Sequence, residues 1–176
     1  MKKLAILFVL VLGFSCAAMA QDTLTRSAAI PSPDGVVQSG EYQFTKSVSG
    51  MKVSATLGTD GNLYLAIEAP TSGWVALGIG GLAMDGSRLF LSVDSGGSPS
   101  FSEQVGSGHH HDAATASIVK KWAVHAANGS TTLELVLPAD SAIVDGKLDI
   151  IAAYSTSASL MARHAAHASF ELVIGS

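Results

Sequence analysis

The chain has 176 residues, a formal net charge of −4, 48% hydrophobic and 14% charged residues, and a single cysteine. Sparse charge without a basic cluster excludes a nucleic-acid binder, and the apolar content excludes a disordered chain. The length supports one domain with a sizeable core.

The first twenty residues read MKKLAILFVLVLGFSCAAMA. Lys2 and Lys3 form a positive n-region, and Leu4 to Phe14 form an apolar run too short to cross a bilayer. Ala18-Met19-Ala20 is a small-x-small cleavage site. Residues 1–20 are therefore expected to be a signal peptide, cleaved before Gln21, with the product exported to the periplasm or the extracellular space. A lipid anchor through Cys16 is the alternative, which bulky Phe14 disfavours. With Cys16 removed, the mature chain has no disulfide and must hold together by core burial. No second apolar stretch is long enough for a transmembrane helix.

Residues 21–33 read as an irregular lead-in, and residues 34–176 as the domain. Pro31, Pro33 and Asp34-Gly35 mark extended chain and a turn. Short β-type runs follow. Met51 to Leu57 alternates, Asp60-Gly61-Asn62 turns, and Asn62 to Ala69 alternates with Leu63, Leu65 and Ile67 on one face. Trp74 to Ile79 and Leu89 to Val93 are apolar runs flanking a glycine-rich connection that holds Met84. Phe101 to Val105 is a further strand, and Gly106 to Ala116 a long polar loop. Ser117 to Ala127 and Thr131 to Leu137 flank Asn128-Gly129, a hairpin signal. Lys147 to Tyr154 and Ala168 to Ile174 close the set. The pattern predicts an all-β, immunoglobulin-like sandwich of roughly nine to eleven antiparallel strands.

The polar anomaly is the histidines: His109, His110 and His111 together, His125 in a strand, and His164 and His167 before the last strand. No nucleophile elbow, zinc-protease motif or phosphate loop is present, so no catalytic constellation is found. Without Cys-x-x-Cys-His, covalent haem is excluded. Non-covalent haem needs an apolar slot and axial ligands, and a Met/His pair is one such set, which raises the reduction potential. Met84 and a histidine near 164 are candidates by residue type alone; a lone loop methionine is more often packing.

The order of several short motifs adds to this. Pro33-Asp34-Gly35 with Gly40-Glu41-Tyr42, the run Gly73-Trp74-Val75-Ala76-Leu77-Gly78-Ile79-Gly80, then Met84-Asp85-Gly86-Ser87, then Gly106-Ser107-Gly108-His109, and finally Ile150 to Tyr154 with His164 and Ser169 to Val173 follow one another. This series resembles the DOMON family, secreted β-sandwiches that bind b-type haem or sugars, over about residues 34 to 174. The resemblance implies haem b held non-covalently, with Met84 and His164 as axial ligands of the iron. It leaves His167 as a propionate contact or the ligand itself, Arg163 as a partner for a propionate, and Trp74 as core or as an edge facing haem or sugar. The family's haem members imply electron transfer with a redox partner protein, membrane-bound or periplasmic, and no enzyme activity of the domain itself. The alternative is a haem-free carbohydrate-binding module, for which 6% aromatic residues is low. The His109 to His111 run reads as a solvated loop, with a metal site or a haem-edge contact as alternatives. Neighbours on an extended chain point to opposite faces, so His109 and His111 can share an ion whereas all three cannot.

Overall fold

The computed structural model describes residues 21–175; the expected signal peptide, with Cys16, lies outside the described residues. The first half of the chain forms β1 (Thr23–Leu24), β2 (Arg26–Ser27), β3 (Phe44–Val48), β4 (Met51–Gly58), β5 (Asn62–Ala69), β6 (Val75–Ile79) and β7 (Arg88–Asp94). The second forms β8 (Pro99–Ser107), β9 (His110–Ala113), β10 (Lys121–Ala127), β11 (Ser130–Pro138), β12 (Ile143–Val144), β13 (Lys147–Tyr154) and β14 (Ala166–Ile174), with one 3-10 turn at Ala139–Ser141. No helix among the described residues is long and apolar enough to cross a membrane.

Two sheets make a sandwich. One runs β1-β14-β13-β6-β7-β8-β9 with β12 also on β13; the other runs β10-β11-β5-β4-β2 with β3 also on β4. Period-two alternation builds the core between them. Leu65 of β5 lies between Ala55 of β4 and Leu135 of β11, and Ile67 between Val53 and Leu133, all of them fully buried. From the facing sheet, Leu77, Phe90, Ile150 and Leu172 meet this layer. Asn128-Gly129 turns β10 into β11 as expected, with φ of 53° and 76°, the pair of positive angles a type I′ hairpin needs.

The outer face of the six-stranded sheet is covered as well. Tyr42, Tyr64, Ala66 and Val136 pack there with Val37. Glu134 is fully buried beneath this strap. Its carboxylate accepts from the amides of Asp34 (3.0 Å) and Gly35 (2.7 Å) and from the Tyr42 hydroxyl (2.8 Å). Burial, then the Glu134 charge, pushes the Tyr42 phenol far above its ordinary range, so it stays a donor. The Pro33-Asp34-Gly35 and Gly40-Glu41-Tyr42 motifs thus mark a wrapped segment.

The sandwich is as expected, but four details differ among the described residues. The sheets are mixed: β1 pairs in parallel with β14, and β2 with β4. The lead-in is therefore not irregular throughout. Leu24 is fully buried, and the amides of Val173 and Gly175 donate to Asp22 and Leu24 (2.9 Å each), which fixes the segment to the sheet edge. Nor is Gly106 to Ala116 a long loop. Gly106 pairs with His111 and Gln104 with Ala113, so β8 and β9 form a hairpin about a tight turn at Gly108 and His109. Backbone pairing decided this, because the polar sequence carries no apolar alternation. The strand count rises to fourteen through β1, β2, β3, β9 and β12, four of them of two to four residues and one five residues long.

Candidate functional site

The eight-stranded sheet is apolar on both faces at its centre. In Val75-Ala76-Leu77-Gly78-Ile79, the large residues Val75, Leu77 and Ile79 point into the sandwich core. Ala76 points the other way, into a second cluster with Trp74, Leu89, Leu91 and Val93. Both faces being covered explains why β6 reads as a continuous apolar run. Over this outer face lies a cavity of about 700 Å³, within the usual range for small-molecule and cofactor sites. Its floor includes Ala76, Gly78, Leu89, Leu91, Ile151 and Ala153. A Cβ on Gly78 would lie 2.9 Å from Leu89 Cδ2 and 3.3 Å from Ile151 Cβ, so a side chain there would have to push the Leu89 terminus aside.

Two walls come from opposite ends of the same strands. β6 is antiparallel to both β7 and β13: Ile79 pairs with Arg88 and Ile150, and Val75 with Ser92 and Tyr154. The β6–β7 connection with Met84 therefore leaves at one end, and the β13–β14 connection with His164 at the other. Both residues line the cavity.

The Met84 wall is held by the neighbouring hairpin. Gly86 N donates to Gly106 O (3.0 Å), Gly106 N to Ser87 O (2.9 Å), and Ser87 N to Met84 O (3.0 Å). Asp85 accepts from the amide of Gly108 (2.7 Å). The Met84 carbonyl sits where a Cβ on residue 106 would be, at 1.8 Å, so the close approach requires Gly106. The Met84 side chain packs, partly buried, against the Trp74 and Leu89 cluster.

The His164 wall is held by Trp74. The indole Nε1 donates to Ala162 O (3.2 Å), Ser155 Oγ to Arg163 O (3.0 Å), and Ala165 N to Tyr154 O (2.7 Å). These bonds clamp the backbone on both sides of His164. Its imidazole is partly buried, with the His167 ring edge-on at 4.6 Å between centroids. Burial first, then the charges of His167 and Arg163, push the His164 imidazole below its ordinary value, which favours the neutral form that ligates metals. Arg163 and His167 are exposed at the cavity mouth.

All five residues singled out in the sequence, Met84, His164, Trp74, His167 and Arg163, thus line one cavity. Trp74 is buried, but on the outer face and not in the inter-sheet core. Trp122 does not line this cavity; it lies on the edge strand β10, stacked on Phe101 at 5.0 Å. The sequence motifs included Gly78 and Gly106 without giving either a role, and Met161 was not singled out. The alternation of large and small residues in Val75 to Ile79 carried a signal for the floor; the other two depend on contacts between distant segments.

These features define an all-β sandwich with a loop-walled apolar cavity on the outer face of one sheet. Solved structures share that fold. The chain is similar to the cytochrome b domain of pyranose dehydrogenase from Coprinopsis cinerea, at 16% identity over 69% of this chain and 75% of that one, with a TM-score of 0.54. It is also similar to the cytochrome domain of cellobiose dehydrogenase from Myriococcum thermophilum, at 10% identity over 75% of this chain and 81% of that one, with a TM-score of 0.55. No family model and no curated protein matches the sequence. The sandwich expected from the DOMON resemblance is thus shared, at the level of fold, with cytochrome domains.

Proposed function

We propose that the chain is an exported b-type haem domain that transfers electrons, with Met84 and His164 as the axial ligands. The observation that carries this reading is the convergence of one thioether and one imidazole, from opposite ends of the sheet, on a flat apolar cavity. Two cytochrome domains of the same fold support it. A floor on which a Cβ at Gly78 would collide suits a planar apolar group. Haem bound there supplies one-electron exchange at iron. Met84 and His164 would hold its iron between them, and so ligated it would exchange electrons without activating oxygen. Trp74 fixes the His164 segment, Leu89 and Leu91 exclude water, and Arg163 offers a positive charge and His167 a ring nitrogen to propionates. The natural partner is a redox protein, soluble or membrane-bound, on the exported side. Export rests on residues 1–20. The carbohydrate alternative needs an exposed aromatic platform; Trp74 is buried, and Trp122 has one face on Phe101.

Titration of the mature protein with haem tests this. The expected result is saturable growth of a sharp Soret band, with narrow α and β bands on reduction. Met84→Ala and His164→Ala should each broaden or abolish these bands, with His167→Ala leaving them in place. Absence of any specific haem spectrum would overturn the proposal.

A further inference from the structure

A second opening, of about 600 Å³, adjoins the large cavity and is lined by Ser107, His109, His110, His111, Asp112 and Met161. The two openings share three lining residues, His109, His111 and Met161, which stand between them. Two imidazoles come from the β8–β9 hairpin, and one thioether from the β13–β14 connection. Two features of this partition are unexplained by packing. Met161 is 83% exposed, so its side chain buries almost nothing. His111 is oriented by a hydrogen bond between Nδ1 and the Gln104 side-chain oxygen, which leaves Nε2 free. A histidine that donates one ring nitrogen to an oxygen acceptor and presents the other is the arrangement found at metal ligands.

We propose that His109, His111 and Met161 form a Cu(I) site at the mouth of the cavity, separate from Met84 and His164. The donor set selects the metal: a thioether favours soft Cu(I), and imidazole suits copper. Cu(I) tolerates low coordination, so three side-chain donors suffice. His110 and Asp112 line the second opening alone, and so stand outside the set that the two openings share. A bound ion ties the β8–β9 hairpin to the β13–β14 connection, and so couples the Met84 wall to the His164 wall. The site does not depend on haem.

The test uses haem-free mature protein under anaerobic, reducing conditions, with Cu(I) delivered from a chromophoric chelator. The expected result is uptake of one ion per chain, weakened by roughly tenfold or more in His111→Ala and in Met161→Leu. The Met161 methyl resonance should shift on uptake while that of Met84 stays in place. The Met84→Ala, His164→Ala double variant should retain Cu(I), and this arm separates the site from the haem proposal. All four substituted positions are at the surface or partly exposed, and thermal melts confirm that each variant is folded. Equal uptake by wild type, His111→Ala and Met161→Leu, or loss of uptake only in the double variant, would overturn the proposal.

Discussion

Single side chains decide how the β7–β8 region meets the opposite sheet. Glu103 is nearly buried and accepts from Arg88 Nε at 2.5 Å, Ser117 Oγ at 2.5 Å and Ile118 N at 3.1 Å. Burial alone raises a carboxyl pKa, but the bonds from Ser117 and Ile118 and the Arg88 guanidinium outweigh it and hold Glu103 below its ordinary value. A group lowered in the folded state adds stability that is present above its unfolded value and lost as pH falls through its folded value. Glu103→Gln should therefore lower stability at neutral pH and flatten its decline below pH 4.5, as read from denaturant midpoints at pH 7 and pH 3. An acid limb as steep as wild type would show that other carboxylates carry it. Such a network was invisible in the sequence, because Arg88, Glu103 and Ser117 are brought together only by strand pairing. Met84 and His164 were singled out through the motif order, and both line the cavity.

Elements were legible where apolar residues alternate. Met51 to Leu57, Asn62 to Ala69 and Thr131 to Leu137 all became strands: their larger apolar residues alternate into the core, and the strap covers much of the other face. β9 was not legible: His110 to Ala113 is polar and is held by its pairing with β8. β1 and β2 are too short for any periodicity. The missed hairpin matters most, since its Gly106 receives the Met84 carbonyl. Gly106→Ala must displace the β6–β7 connection, at a cost of about 1–3 kcal/mol of stability by overpacking. The same variant should change the haem spectrum towards that of Met84→Ala, measured alongside a chemical melt. An unchanged spectrum with lowered stability would mean that the connection does not position Met84.

At the scale of the molecule, one sheet serves two apolar layers. Its inner face closes the sandwich with Leu77, Phe90 and Ile150; its outer face offers Ala76, Gly78 and Ala153 as a floor. The other sheet seals its own outer face with the strap over Glu134, so among the described residues the large cavity lies on the opposite side of the sandwich. The fold class was readable from alternation and turns. Which face carries the cavity was not, because Trp74 reads first as sandwich core until β6, β7 and β13 are in register.

The central claim is that Met84 and His164 jointly ligate haem iron on this face. Its most direct test is the reduction potential of the haem-loaded protein compared with Met84→His, by spectroelectrochemical titration. A thioether ligand favours ferrous iron, so the account predicts a clearly lower potential in Met84→His, with both proteins showing six-coordinate, low-spin spectra. A potential unchanged by the substitution would contradict it and return Met84 to the packing of the β6–β7 connection.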